Sequence, residues 1–360
     1  MSAEQLRLFL KSPWSFPLVP ISWVWGRVAA GRRRALAARR AKVSVPVVSV
    51  GNITSGGTGK TPVVEMLVRE LLRRGRRPAI VSRGYRSSAD GLNDESRLLA
   101  QNLPGVRQYL NPDRLASGRR AIQDGADVLV LDDGFQQRSL AVDLDIVLLD
   151  ATDPFGGSRI LPAGLLREPL EALGDADLFA ITRGSLVPRT GLGILRGLLR
   201  DRFPGVPRLE IEMEATGWHP VCRGRPGERA VLDAGALRGK RAAAFAGIGN
   251  PEAFRRQLGA LGLDVAVWMP FPDHHGFRAA DLTEIGRRAI AAGAEVVVMT
   301  QKDAVKIPST AAAGPSESGP WNGPAPWYHL RIAARPSAGG EHLSAAIDGL
   351  LSAPSIGVCG

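Results

Sequence analysis

The stretch Val48-Ser49-Val50-Gly51-Asn52-Ile53-Thr54-Ser55-Gly56-Gly57-Thr58-Gly59-Lys60-Thr61-Pro62 decides the fold. An apolar, β-rich run (Val43–Val50) enters it, and helical spacing (Pro62–Arg74) leaves it. Successive backbone N–H groups in such a glycine-rich turn can wrap phosphate oxygens, and the helix N-terminus adds partial positive charge. Gly56, Gly57 and Gly59 permit conformations and a close approach that a Cβ would block. Lys60 then reaches the β- and γ-phosphates, and the Thr61 hydroxyl is placed to ligate Mg²⁺. The expected nucleotide-binding residues are Thr54, Ser55, Gly56, Gly57, Thr58, Gly59, Lys60 and Thr61. The general pattern has glycine where this chain has Thr54, which marks a variant loop.

Outward from this loop, short apolar runs alternate with helical stretches. Pro78–Ser82, Asp127–Leu131, Leu144–Leu149 and Leu178–Thr182 read as strands, with helices such as Arg114–Asp124 between them. Strands apolar on both faces and separated by helices describe a mostly parallel α/β sheet of the P-loop NTPase type, flanked by helices. After Pro204 the pattern restarts with Arg241–Ala246, Val265–Met269, Val296–Thr300 and Trp327–Ile332, and helices begin near Pro251 and Ala279. The expected division is an N-terminal segment 1–42, a P-loop domain 43–205, and a second, smaller α/β domain 206–360 that closes an active cleft. The run 311–326, rich in Gly, Pro, Ser and Ala, reads as an exposed loop.

The chain has 360 residues, enough for two α/β units. Its formal net charge of +11 points to a polyanionic partner: nucleic acid, an anionic membrane surface or a phosphorylated substrate. No known nucleic-acid motif or aromatic-interleaved basic stripe is present, so no nucleic-acid partner is expected, and no obligate protein partner is evident. Cys222 and Cys359, the two cysteines, lack CxxC spacing and exclude a disulfide scaffold or zinc ribbon. Pro13–Ala30 is apolar but holds three prolines and Arg27, which a spanning helix of about 20 uncharged residues would not. A helix from about Ile21 to Arg40 fits better, with Trp23 and Trp25 near its start and Arg32, Arg33, Arg34, Arg39 and Arg40 in its second half. That composition suits a helix lying in the interface of an anionic membrane.

A P-loop needs an acidic strand end to serve its metal. Val128-Leu129-Val130-Leu131-Asp132-Asp133 supplies one, with Asp150 after Leu144–Leu149 as a rival. Guanine-specific P-loop proteins carry N-K-x-D; Thr300-Gln301-Lys302-Asp303 lacks that asparagine, so ATP is the expected nucleotide. Transfer to an alcohol needs a group that takes the hydroxyl proton. Two clusters qualify: Asp94-Glu95, in a loop after Gly91, and Asp273-His274-His275, past a strand end. Arg83, Arg114 and Arg167 are candidates for phosphate, because a guanidinium fork suits it.

These motifs, together with Ser82-Arg83-Gly84-Tyr85, Asp132-Asp133-Gly134-Phe135-Gln136, Leu161-Pro162-Ala163-Gly164 with Arg167-Glu168, Ala246-Gly247-Ile248-Gly249-Asn250-Pro251 and Phe271-Pro272-Asp273-His274-His275, resemble the tetraacyldisaccharide 4'-kinase family of lipid A biosynthesis. The resemblance runs to about Lys306, and Thr54 is itself typical of that family. It implies an ATP- and Mg²⁺-dependent kinase that phosphorylates the 4'-hydroxyl of a tetraacylated glucosamine disaccharide 1-phosphate, an acylated lipid substrate, to give lipid IVA. It implies work at the cytoplasmic face of the bacterial inner membrane, attached through the N-terminal helix. It also places an Asp–His pair at catalysis, here Asp94 and His274, beside Lys60. Asp132, Asp133 and Thr61 would serve the metal, and Glu95, Arg83, Tyr85, Arg114 and Arg167 the substrate. The other reading of the P-loop is a membrane-associated NTPase switch or metallochaperone with no sugar acceptor.

Overall fold

The computed structural model describes residues 17–37, 40–84, 93–137, 139–221, 230–307 and 325–352. Tyr85, Arg39, Cys222, Cys359 and most of the 311–326 run lie outside these. The chain forms two compact units, one built from residues 7–213 and 334–360, the other mainly from 214–333.

In the first unit, helix α1 (Val19–Ala37) precedes β1 (Val47–Asn52), α2 (Lys60–Arg73), β2 (Pro78–Ser82), α3 (Asp94–Asn102), β3 (Gln108–Leu110), α4 (Arg114–Gln123), β4 (Val128–Asp132), β5 (Leu144–Asp150), β6 (Leu178–Thr182) and α5 (Arg189–Arg202). The strands pair in parallel in the order β3-β2-β4-β1-β5-β6, and β6 pairs with the start of β7 (Arg208–Pro220). Every residue of β1, β4 and β5 is buried, because alternate side chains feed cores on opposite faces. Val48, Val50, Val128, Val130, Ile146 and Leu148 meet the apolar stripe Val64, Leu67, Val68 and Leu71 of α2. Val47, Leu129 and Leu131 face Ala121 of α4, and Val147 and Leu149 face Leu195 and Leu199 of α5. Each fully buried side chain contributes about 1.5–3 kcal/mol.

Helix starts follow from local chemistry. Asn93 caps α3 through Ser96 N–H, and Asp113 caps α4 through the N–H groups of Leu115 and Ala116. Gly59, ahead of α2, has φ 86° and offers no side-chain cap, leaving the first N–H groups of α2 to other acceptors.

The C-terminal helix α9 (Gly340–Ser352) corrects the expected division. Its stripe Leu343, Ile347 and Leu350 packs in the same core as α2, and Arg74 binds both Ser344 and Asp348. It therefore belongs with the P-loop unit and not with the second one. The chain returns along β11 (Trp327–Ala338), a reversal that sequence order does not display.

The second unit holds β8 (Arg241–Ala246), α6 (Pro251–Ala260), β9 (Asp264–Pro270), α7 (Ala279–Ala291), β10 (Val296–Thr300) and the short α8 (Gln301–Ala304), with parallel pairing in the order β11-β10-β8-β9. Ala242 and Ala244 point to one core and Ala243 and Phe245 to the other.

Candidate active site

The phosphate loop leaves β1 at Asn52 and is held by backbone bonds to the segment around Leu165. Ser55 N–H donates to Leu165 O at 2.7 Å and Arg167 N–H to Ile53 O at 2.9 Å, while Thr54 bridges Leu166. The Asn52 side-chain amide donates to Thr54 O at 2.6 Å. Thr54 is not among the residues with positive φ, so glycine is not demanded there. Gly56 (φ 131°) and Gly59 (φ 86°) do need glycine, and a Cβ on Gly59 would stand 2.7 Å from Met213 Cε. Gly57 is different: it lies exposed with open space around it, so only an incoming group would require its lack of side chain.

Lys60 opens α2, and its ammonium donates to Asn52 Oδ1 at 2.9 Å and pairs with Asp133 Oδ1 at 3.2 Å. Asp133 follows β4 with φ 57° and receives Arg167 Nη1 on both oxygens, at 3.1 and 2.9 Å. The same nitrogen reaches Gln136 Oε1 at 3.1 Å, and Gln136 Nε2 donates to Asn52 O at 2.8 Å. Lys60, Asn52, Gln136, Arg167 and Asp133 thus close a ring. Burial alone would raise the Asp133 carboxyl, but Lys60 and Arg167 outweigh it and hold the group at about 2.

Asp132, the last residue of β4, goes the opposite way. Burial, then the facing charges of Glu95 and Asp133, push it up to about 7 against the pull of Lys60 and Arg114. Crowded carboxylates beside a phosphate loop are the oxygen donors a divalent cation such as Mg²⁺ takes. The rival Asp150 is already engaged, by Arg183 and by the N–H and hydroxyl of Thr152 at 3.0 and 2.6 Å. Among the described residues no group of three or more His, Cys, Asp or Glu forms a ready-made metal cage.

Arg114 is buried at the start of α4, within reach of the carbonyls of Asn111 (3.3 Å) and Asp132 (3.4 Å). Burial lowers its pKa, and the nearby Arg83 adds to that. Asp94 and Glu95 are not in a loop, as the sequence suggested; they form the first turn of α3, where the helix dipole stabilises their charge. The P-loop unit therefore gathers Lys60, Asp132, Asp133, Arg83, Arg114, Arg167 and Glu95, with Asp94 adjacent in the chain. Asn52 and Gln136 were not singled out from sequence for a role; their only signal was their place inside the quoted motifs.

In the second unit His274 sits past β9 with φ 60°, its N–H donating to Asp273 Oδ1 at 3.0 Å. Its ring Nε2 stands 3.9 Å from Asp273 Oδ2 and is partly open to solvent. His275 is spent on structure, bonding Asp281 at 3.1 Å between Phe271 and Phe277. Asp303, for which sequence offered no role, is fully buried and takes Thr300 Oγ1, Gly247 N–H and Lys306 Nζ. It pins the turn after β8.

A family model described as Tetraacyldisaccharide-1-P 4'-kinase matches residues 14–351. A tetraacyldisaccharide 4'-kinase of Anaeromyxobacter dehalogenans (strain 2CP-C) is 43% identical over 317 residues, covering 80% of each chain. Another, from Anaeromyxobacter sp. (strain K), is 40% identical over 356 residues, covering 91% of this chain and 88% of that one. The crystal structure of LpxK from Aquifex aeolicus in complex with ATP superposes with a TM-score of 0.70 at 27% identity, covering 94% of this chain and 99% of that one.

Proposed function

The chain belongs to the tetraacyldisaccharide-1-P 4'-kinase family, and from that premise we propose which of its residues carry the transfer. It is an ATP-using kinase that phosphorylates the 4'-hydroxyl of a tetraacyldisaccharide 1-phosphate, giving lipid IVA. The observation that ties this chemistry to the chain's own atoms is the ring of Lys60, Asp133, Arg167, Gln136 and Asn52 beneath the loop.

Phosphoryl transfer asks for positioning and charge neutralisation more than for covalent chemistry. The loop N–H groups from Gly56 to Thr61 and the N-terminus of α2 receive the phosphates, and Lys60 reaches toward the transferring group. The Thr61 hydroxyl and the Asp132 and Asp133 carboxylates would hold Mg²⁺, which supplies positive charge to the phosphate oxygens. Asp94 takes the proton of the sugar hydroxyl. His274, past β9, is the second residue proposed for catalysis; its φ of 60° is left-handed backbone, which at a non-glycine residue persists where surrounding structure enforces it, often at functional sites. Arg83 and Arg114 serve the substrate's phosphate.

The site of work is the cytoplasmic face of an anionic membrane. Supporting this, α1 exposes Ile21, Val24, Trp25 and Val28, one stripe at helical spacing, with Arg27 stacked 4.1 Å from the Trp23 ring centroid. No helix among the described residues is long and apolar enough to cross a membrane. Incubating purified enzyme with Mg-ATP and tetraacyldisaccharide 1-phosphate, then weighing the lipid, tests the reading: a gain of one phosphoryl at the 4'-position is expected, and ATP consumption without it would sink the assignment.

A further inference from the structure

One short segment, Ile160–Glu168, is gripped by α1 and by the phosphate loop at once. From α1, Ser22 Oγ accepts the Ala163 N–H at 2.8 Å. Gly26 comes so near Ile160 that a Cβ would stand 2.8 Å from its Cδ1. Arg33 reaches Glu168 at 3.9 Å, the Ala172 carbonyl at 3.3 Å and the Asp175 carboxylate. These residues lie away from the exposed stripe, so α1 turns one side to the protein and another outward. Arg33, one of the arginines in the basic second half of the helix, is drawn inward.

From the loop, Ser55, Thr54 and Ile53 make the backbone bonds to Leu165, Leu166 and Arg167 already described, and Arg167 continues to Asp133 and Lys60. The segment is braced within itself by Leu161 N–H to Leu166 O at 2.8 Å and Gly164 N–H to Ile160 O at 3.1 Å. A close-packed turn of this kind transmits a displacement better than it absorbs one. A buried hydroxyl and a forked guanidinium are also costly ways merely to attach a helix, since apolar contacts would hold it as firmly; what they add is a fixed register.

We propose that Ser22 and Arg33 are positioning residues for phosphoryl transfer: seating α1 on a bilayer is relayed through Ile160–Glu168 to the phosphate loop, so that nucleotide binds more tightly to the lipid-seated enzyme than to the enzyme in solution. The lipid input rests on the membrane reading of α1; the contacts from Arg33 to the loop do not.

The test measures the Kd of a fluorescent ATP analogue for the full chain, with and without vesicles of phosphatidylcholine and phosphatidylglycerol. Vesicle co-sedimentation and melting temperature are recorded alongside for wild type, Arg33→Gln and Ser22→Ala. Wild-type Kd should fall about three- to tenfold on adding vesicles. The variants should sediment like wild type yet respond less than about twofold, with a raised KM for ATP and an unchanged KM for the acceptor; Arg33→Lys should restore part of the response. Variants that fold, sediment and keep the full response overturn the proposal, as does a wild type that sediments with unchanged Kd. A wild type that never sediments refutes the membrane reading instead, and the relay is then decided by whether Arg33→Gln raises the ATP KM in solution. Should Arg33→Gln fail to fold, Ser22→Ala, which removes a single hydroxyl, decides the question.

Discussion

The Lys60 ammonium lies 3.2 Å from Asp133 Oδ1, so the cation that serves phosphate is oriented by a carboxylate at the end of β4. Asn52 Oδ1 at 2.9 Å shares the task. Both partners are hydrogen-bonded elsewhere, so the protein itself fixes the direction of the ammonium, and a restrained side chain loses less freedom on contact with a nucleotide.

Lys60→Ala should abolish this arrangement on both sides. It removes the phosphate contact and leaves Asp133 facing Arg167 alone. ATP affinity and turnover should fall together, turnover by about 10²-fold or more. Equilibrium nucleotide binding and steady-state rates check this; normal ATP affinity would show that the lysine points away from the nucleotide.

Arg167→Ala opens the ring from its far side. Asp133 loses two bonds and Gln136 loses its donor. The Asp133 side chain is 40% exposed, so solvent screens part of the loss, and ATP binding should weaken by roughly 2- to 10-fold as the loop loosens. Arg167→Lys, which cannot bridge both acceptors in the same plane, should recover only part. Isothermal titration with Mg-ATP distinguishes the three proteins.

Asp94→Asn should lower turnover by about 10²- to 10⁴-fold while leaving ATP binding nearly intact, as expected for loss of a general base. His274→Ala should do likewise. The double variant should be little worse than the poorer single one, because residues acting as a unit are not additive. Additive losses would separate the two roles.

Lys306→Ala acts on stability rather than chemistry. Lys306 and Asp303 form a buried pair at 2.8 Å, with side chains 3% and 0% exposed. Removing the lysine strands a buried carboxylate, at about 3–5 kcal/mol. Urea denaturation should show the second unit unfolding early, and Lys306→Met combined with Asp303→Asn should be milder.

Acid should weaken the second unit through His329. Burial pushes its ring down to about 3, helped by the stacked His219 at 5.3 Å and by Arg331. The folded pKa lies below the unfolded one, so the unfolded state binds the proton first. Stability is therefore fully present above about pH 6.5 and declines as pH falls toward 3, by up to about 1.4 kcal/mol per pH unit. Hydrogen exchange of β11 between pH 7 and 5 should accelerate beyond its intrinsic pH dependence, and His329→Phe should flatten that excess.

Short-range chemistry made much of this protein legible from sequence. The glycine-rich turn, the apolar strands around it and the acidic end of β4 each depend on residues a few positions apart. So does the apolar stripe of α1, though the inward Arg33 does not. Placing Asp94 and Glu95 in a loop failed because Gly91 outweighed the capping signal of Asn93.

What sequence could not supply were the pairings made by folding. Arg167 meets Asp133 across 34 residues and Gln136 meets Asn52 across 84. The C-terminal helix reaches α2 through Arg74 and Asp348, 274 residues apart. Such contacts follow from strand order and from which face each helix covers. Periodicity and turn chemistry sense only neighbours along the chain, so the motif was written in the sequence, and the partner of each charge was chosen by the sheet.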